Sequence, residues 1–265
     1  METGSVESAW RDAVEGLHHR DYWWTLAWND IRSRYRRSRI GQFWITLSVA
    51  LFVLGIGLIY AGIFGMPVSE YLPRLTVSYV VWLFFSSVLV GGCSTFIAAS
   101  ATMQQRLFPV SVHAYRLVAR ELLVFAHNAI VIVVVWIVFA VGISPVALLA
   151  IPGMALNAYV GFWLATMLGI VCVRYRDVPP IVQSLVTILF FITPVLWTAD
   201  RLGASAEFIV LLNPFVYLIA IVRDPLLGIV PPLHTWAVVL ALAAAVTAIG
   251  LYGMSLTRHR LAYWL

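Results

Sequence analysis

The chain has 265 residues, of which 62% are hydrophobic and 11% are charged, and its formal net charge is +5. A water-soluble domain cannot bury this much apolar surface, so the composition excludes a soluble protein and indicates an integral membrane protein. All the basic residues are arginine. Because a phosphate-binding P-loop needs a lysine, a nucleotide-hydrolysing site of that kind is also excluded.

Residues 1–42 are predicted to form a cytoplasmic N-terminal region with two amphipathic helices. The first is indicated by apolar residues at helical spacing, after a capping Ser5: Val6, Trp10, Val14 and Leu17. The second runs from Asp21 to Arg39, and one of its faces carries Trp24, Trp28, Ile31 and Tyr35. Its end is crowded with Arg32, Arg34, Arg36, Arg37 and Arg39. Such a helix lies along a membrane surface or docks in a groove of a partner protein.

Residues 43–265 are predicted to form an all-α domain of six transmembrane helices. Their approximate bounds are 43–64, 76–101, 119–142, 146–173, 178–197 and 234–256, lengths that suit a hydrocarbon core of about 30 Å. Fourteen arginines precede the first helix or lie in the loops on that side, whereas the alternate loops hold only Arg74, Arg201 and Arg223. Cytoplasmic loops carry the excess of arginine, so both termini are predicted to be cytoplasmic.

The segment EFIVLLNPFVYLIAIVRDPLLG, residues 207–228, does not suit a plain six-helix drawing. It is apolar, but Asn213 and Pro214 interrupt it and Arg223 follows. Each half is too short to cross a bilayer, so two short helices are predicted to enter from the outer face and turn back at Asn213. The alternative is a hairpin that lies on the lipid surface.

Two loops on the cytoplasmic side carry local signals. Pro109 is predicted to begin a short helix between the second and third membrane helices, in the segment from Gln104 to Arg116. Asp177 precedes the fifth membrane helix, where its carboxylate either caps free N–H groups or pairs with a partner protein.

The membrane helices contain almost no ionisable residues, which argues against a proton-coupled or sodium-coupled transporter. An intramembrane enzyme that acts on lipid-linked sugars needs clustered acids or histidines, but half of the twelve acids precede residue 43 and the others are scattered. Aromatic residues are plentiful, and most of them are expected to lie at the membrane interfaces. Candidates for stacking against sugars along a channel are Tyr60, Trp82, Phe85, Tyr159, Phe162 and Phe190.

Several segments, taken in order, resemble the membrane subunit of type-2 ABC exporters, in the branch that exports O-antigen, capsule, teichoic acid or related lipid-linked polysaccharides. They are LAWNDIRSRYRRSRIGQFW, LFPVSVHAYR, RYRDVPP followed by FFITPVLW, and LNPFVYLIAIVRDPLLG. The resemblance covers nearly the whole chain from Asp21 onward.

The resemblance implies a permease without catalytic residues, metal ligands or a cofactor of its own, in a bacterial inner membrane. It would form a homodimer with two copies of a separate ATPase, which would bind ATP and Mg. Contacts to that ATPase would come from Trp24, Trp28, Arg32, Arg34, Arg36, Arg37, Phe108, Pro109, His113, Arg116, Arg174 and Asp177. An outer gate would include Asn213, Pro214, Tyr217 and Arg223. The expected cargo is a lipid-linked polysaccharide such as O-antigen or galactan; the alternative is a drug or a small lipid.

Overall fold

A computed structural model describes residues 5–34, 41, 43–104, 108–198, 208 and 210–264. All the regular secondary structure in these ranges is helical. The α-helices are α1 (Val6–His18), α2 (Arg20–Arg34), α3 (Phe43–Phe64), α4 (Val68–Ala98), α5 (Ser100–Gln104), α6 (Ser111–Val138), α7 (Ala150–Arg174), α8 (Val178–Ile192), α9 (Pro214–Leu226) and α10 (Leu233–Trp264). A 3₁₀ helix, Pro145–Leu149, leads into α7.

Within the described ranges, five helical segments are long and apolar enough to cross a membrane: α3, α4, α6, the segment Pro145–Arg174, and Leu233–Arg258 in α10. The predicted fifth membrane helix, 178–197, is shorter than expected. Helix α8 has 15 residues, a length of about 22 Å at 1.5 Å per residue. It ends at Ile192, and the residues up to Thr198 form turns.

The first predicted membrane helix agrees with α3 at both ends. Gly65 closes α3 with a positive φ of 60°, and the N–H of Met66 bonds to the carbonyl of Ala61 at 2.9 Å. This pairing ends a helix with a left-handed glycine, which lacks the Cβ that makes the conformation costly. The loop predicted for residues 65–75 is mostly wrong, because α4 begins at Val68 and includes Pro73 as a buried residue.

The separate short helix predicted around Pro109 is also wrong. Pro109 lies just before α6, and Ser111 to Arg116 form the first turns of this helix, which continues without a break to Val138; residues 105–107 lie outside the described ranges. The last helix is longer than predicted and continues beyond residue 256 to Trp264.

Helices α4 and α7 lie at the centre of the bundle, where Phe85 and Trp163 are fully buried. The outer faces of α3 and α8 expose leucine and isoleucine side chains, as expected for surfaces that contact lipid. A second apolar cluster joins Ala9 of α1 to the ends of α4, α7 and α10. We call the end of the bundle that carries this cluster, with α1, α2 and the start of α6, the basic end.

Candidate functional site

An ion pair ties α2 to the start of α6 at the basic end. Arg116 donates two hydrogen bonds to the carboxylate of Asp30, one of them from Nε at 2.8 Å. Arg120 lies 4.0 Å from the same carboxylate and pairs with Glu121 at 2.7 Å. The Asp30 side chain is 22% exposed and that of Glu121 only 6%. Bidentate pairing in a partly dry site fixes the orientation of both side chains, so α2 and α6 are held in one register.

Aromatic packing reinforces this contact. The rings of Tyr22 and Phe108 stack with centroids 4.1 Å apart. Phe108 lies just before α6; within α6, Tyr115 stacks on Trp23 of α2 at 5.9 Å and on Phe162 of α7 at 4.2 Å. Each aromatic pair contributes roughly 0.5–1.5 kcal/mol beyond its area burial. The stack therefore connects α2, through the first turns of α6, to the centre of the bundle.

Helix α1 clamps the same turns of α6. The carboxylate of Asp12 accepts hydrogen bonds from the backbone N–H groups of Val110 at 3.1 Å and Ser111 at 3.0 Å. The Ser111 hydroxyl donates to the carbonyl of Asp12, and the Tyr115 hydroxyl donates to that of Ala13. The residue at the capping position of α6, Val110, has no side-chain acceptor of its own, so α1 supplies the cap from elsewhere in the chain.

A glycine permits this close approach. A Cβ placed on Gly16 would lie 2.1 Å from Oγ of Ser111, so a larger residue there would displace the Ser111 hydroxyl from the carbonyl of Asp12. On its other side α1 contacts α10, where Arg258 donates a hydrogen bond to the carbonyl of Ser8 at 2.6 Å. Arg174 lies over the Trp264 ring at 5.3 Å from its centroid. We call the unit formed by α1, α2 and residues 108–121 the coupling region.

The residues predicted to contact an ATPase divide into two groups. Trp24, Trp28, Arg32, Arg174 and Asp177 are exposed. Phe108 and Pro109 are half-buried, Arg116 is held in the pair with Asp30, and His113 is buried at 4% exposure. The side chain of Arg34, with Arg36 and Arg37, lies outside the described residues.

The predicted helical face of α2 is divided, because Ile31 is buried while Trp24 and Trp28 are exposed. Asp177 precedes α8 but makes no capping hydrogen bond through its side chain, so the capping interpretation is wrong.

The residues predicted for an outer gate surround the start of α9. Asn213 caps this helix, because its Oδ1 accepts the N–H of Phe215 at 3.0 Å, and its Nδ2 donates to the Thr193 hydroxyl at 2.9 Å. Pro214 occupies the first turn and is exposed. Tyr217 donates to the carbonyl of Leu211 at 3.2 Å. Asn213 therefore connects α9 to the turn that follows α8.

The remainder of α9 is buried against α7. Asn157 donates to the carbonyl of Leu218 at 2.9 Å, and a Cβ on Gly153 would lie 2.4 Å from the Ile221 carbonyl oxygen. Arg223 is 7% exposed and pairs with Asp224 at 2.7 Å. A hairpin resting on lipid would not bury its helix in this way, so the described part of the segment does not match that alternative; Glu207 and Ile209 lie outside the described residues.

Three of the six predicted channel aromatics are packed inside the protein. Trp82, Phe85 and Phe162 are at most 4% exposed. Rings from α4 and α9 meet, because the centroid of Phe215 lies 5.5 Å from that of Trp82 and 5.7 Å from that of Phe85. Tyr60 and Phe190 are half-buried, and Tyr159 is exposed with its hydroxyl 2.8 Å from that of Thr247. Their role in a channel stays a prediction, and for the buried rings it requires rearrangement of this packing.

The acids that organise the coupling region, Asp12 and Asp30, were not among the site residues predicted from the sequence. Both lie in a chain with only twelve acidic residues, and unpaired charge is costly near a membrane. The scarcity of acidic residues indicated that each of them needs a partner. It did not identify the partners, because the arginine and the backbone N–H groups that pair with Asp12 and Asp30 are far away in the sequence. Among the described residues, no group of His, Cys, Asp and Glu side chains is arranged to hold a metal ion.

Comparison with known proteins gives a family and several relatives. The family model described as "ABC-2 type transporter" matches residues 21–227, from α2 through α9. A Klebsiella pneumoniae protein named "O-antigen export system permease protein RfbA" is 26% identical over 200 residues, covering 74% of this chain and 76% of that protein. A Myxococcus xanthus protein of the same name is 27% identical over 202 residues, covering 73% of this chain and 75% of its own length.

Proposed function

Because this chain belongs to the ABC-2 type transporter family of membrane proteins, we propose that it is the permease subunit of an ATP-driven polysaccharide exporter. It moves a lipid-linked polysaccharide, such as O-antigen or a galactan-type cell-wall glycan, outward across the bacterial inner membrane. The names of the relatives support this cargo class. The permease acts as a homodimer with two copies of a separate ATPase, which binds ATP and Mg and supplies the energy.

The observation that carries the proposal is the rigid attachment of α2 to the first turns of α6 through Asp30 and Arg116. A subunit without its own nucleotide site must receive mechanical work from a partner. A surface helix locked to a membrane helix transmits such movement, because a packed interface moves as a unit rather than deforming continuously. The aromatic stack on Tyr115 extends this connection to α7.

The exposed part of α2 is the proposed docking surface for the ATPase, with Trp24, Trp28 and Arg32 at its centre. Arg174 and Asp177 add charged groups from the connection between α7 and α8. Buried His113 and paired Arg116 then act behind this surface by holding the coupling region together. The predicted contacts of Arg34, Arg36 and Arg37 belong to the same proposal.

Six membrane crossings with both termini on the cytoplasmic side are supported by a parity argument. The hydrogen bond from Arg258 to Ser8 places the end of α10 beside α1. A chain that begins and ends on one side of a membrane must cross it an even number of times. Since five described segments are long enough to cross, we assign the sixth crossing to α8 with the turns that follow it. The arginine excess at the basic end supports a cytoplasmic location.

Helix α9 is proposed as one of two re-entrant helices at an outer gate. It has 13 residues, about 20 Å at 1.5 Å per residue, which is too short to cross. Its packing against Trp82 and Phe85 closes the interior in this conformation. Movement from the coupling region would open a path by separating α9 from α4 and from the turn that follows α8.

The docking proposal is tested by capture of the ATPase. The variant W24A/W28A/R32E should lose most capture of the co-expressed ATPase in detergent and most export of the glycan, whereas T25A, an exposed substitution on the same helix, should retain both. Because the three side chains are exposed, thermal stability should change little. Unchanged capture and export in the triple variant would refute docking on α2.

The cargo is tested in cells depleted of the chain. Lipid-linked glycan should accumulate inside such cells and return to its normal level when the wild-type gene is restored. If the glycan level is unaffected while efflux of drugs or small lipids falls, the alternative cargo is correct.

A further inference from the structure

Helix α1 has three distinct sides. Its small residues Ala9, Ala13 and Gly16 are buried against the rest of the protein. Four large apolar residues on another side are solvent-exposed in the isolated chain: Val6 at 52%, Trp10 at 49%, Val14 at 36% and Leu17 at 51%. At about 100° per residue, these four fall within an arc of about 80°. We call them the apolar stripe.

The third side of α1 is charged. Glu7, Arg11 and Glu15 lie there, and Glu7 pairs with Arg11. Together with Arg258 they line an open polar cleft of about 490 Å³. Charged and apolar residues are therefore sorted onto separate sides, and both sides are exposed.

The packing of α1 fixes its depth. Ala9 lies in a cluster with residues at the ends of the membrane helices, including Phe96, Val173 and Leu261. The exposed apolar surface of α10 includes Tyr252 at 62% and Leu256 at 57%, and Arg258, which bonds to α1, follows within one turn. The lipid-facing surface of α10 thus ends where α1 begins.

We propose that α1 lies in the membrane leaflet at the basic end, with its apolar stripe inserted at the boundary between head groups and acyl chains. A helix parallel to a membrane needs an apolar side, a charged side and no precise partner geometry, and α1 has this arrangement. Tryptophan favours the same boundary. The inference depends only on the chain being a membrane protein and goes beyond the proposed transport function.

The charge of α1 makes the proposal more specific. Glu7, Asp12 and Glu15 outnumber Arg11, so anionic lipids do not attract this helix. Insertion therefore depends on the apolar stripe and should occur in neutral phosphatidylcholine, unlike that of basic amphipathic helices. Since Asp12 clamps the start of α6, insertion of α1 holds the coupling region at a constant depth.

The test uses the full-length chain in phosphatidylcholine nanodiscs, with an environment-sensitive fluorophore attached to L17C or, as the matched control, to E15C on the charged side. Cys93 and Cys172 are buried, so the wild type measures background labelling. Lipids that carry a nitroxide near the head group should quench the L17C label strongly and the E15C label little. Addition of the ATPase should leave this difference unchanged.

Three results would overturn the proposal. Equal quenching at both positions would show that the stripe has no preferred contact with lipid. If the fluorophore at L17C leaves water only after addition of the ATPase, the stripe is a docking surface for that partner. If the fluorophore at L17C leaves water only when two copies share a nanodisc, the stripe is a contact between copies of this chain. Gel filtration of each labelled variant establishes that it is folded before quenching is measured.

Discussion

Asp12 caps the start of a helix that lies 98 residues farther along the chain, since its carboxylate accepts the backbone N–H of Val110. Replacement of a capping residue by alanine costs about 0.5–2 kcal/mol. We expect D12A to lower the melting temperature of the purified chain and D12N, which keeps one acceptor oxygen, to lower it less. E15A alters an exposed acid on the same helix and should have little effect.

The same variants test whether the clamp serves coupling as well as stability. If α1 holds the start of α6, D12A should export less glycan per ATP hydrolysed in proteoliposomes, even below its melting temperature. If D12A has the melting temperature of the wild type and exports as much glycan per ATP hydrolysed, the cap contributes neither to stability nor to coupling.

The pair between Asp30 and Arg116 predicts a non-additive result. Loss of either partner leaves the other charge partly buried, and a hydrogen bond to a charged group contributes about 1.5–3 kcal/mol. We expect D30N and R116Q each to retain ATPase binding but to reduce export. The double variant should be less impaired than the sum of the two predicts, because neighbouring partners are coupled. The measurement is a double-mutant cycle on the glycan exported per ATP.

The control for this cycle is N29A, which changes an exposed residue next to Asp30. Its export should match the wild type. Additive losses in the cycle would mean that Asp30 and Arg116 act independently, for example if Arg120 takes the place of Arg116 beside Asp30.

Some elements of the fold were predictable because their causes are local. Helix α3 was placed correctly, since an uninterrupted apolar run is followed by Gly65, which favours the left-handed conformation. The start of α4 was missed because Pro73 and Arg74 resemble loop residues. Burial of Tyr71, which donates a hydrogen bond to the carbonyl of Leu196, stabilises the helix there. Packing between distant segments thus outweighed the local signal.

The coupling region was only partly predictable for the same reason. The arginine-rich end of α2 and the segment around Pro109 were recognisable in the sequence, but the contacts that hold the coupling region together join residues more than 80 positions apart, such as Asp30 and Arg116. The residues next to an aspartate or a tyrosine in the sequence do not indicate which distant residue it contacts. The continuity of α6 was missed because a proline and polar residues precede it, although a helix readily begins just after a proline.

Gly153 provides a test of the packing between α7 and α9. In G153A the new Cβ would meet the backbone carbonyl oxygen of Ile221 at 2.4 Å, so one helix must move. Overpacking of this kind costs about 1–3 kcal/mol, and the melting temperature should fall.

The matched control is G55A in α3, where nothing lies within 4 Å of the added Cβ. Because alanine favours helix over glycine by up to about 1 kcal/mol, G55A should be neutral or stabilising. Equal melting temperatures for both variants would contradict the close contact.

The hydrogen bond from Asn213 to Thr193 predicts how the proposed gate is held shut. T193V removes the acceptor but leaves the cap that Asn213 provides to Phe215. The buried amide then lacks a partner, at a cost of about 1–3 kcal/mol. If this bond keeps α9 against the turn after α8, the closed state should be the one destabilised. We expect T193V to make proteoliposomes leak a trapped polar dye in the absence of ATP.

The control T187V makes the same chemical change on the exposed face of α8, and proteoliposomes that contain it should not leak the dye. A tight T193V variant with normal export would show that this bond does not hold the gate.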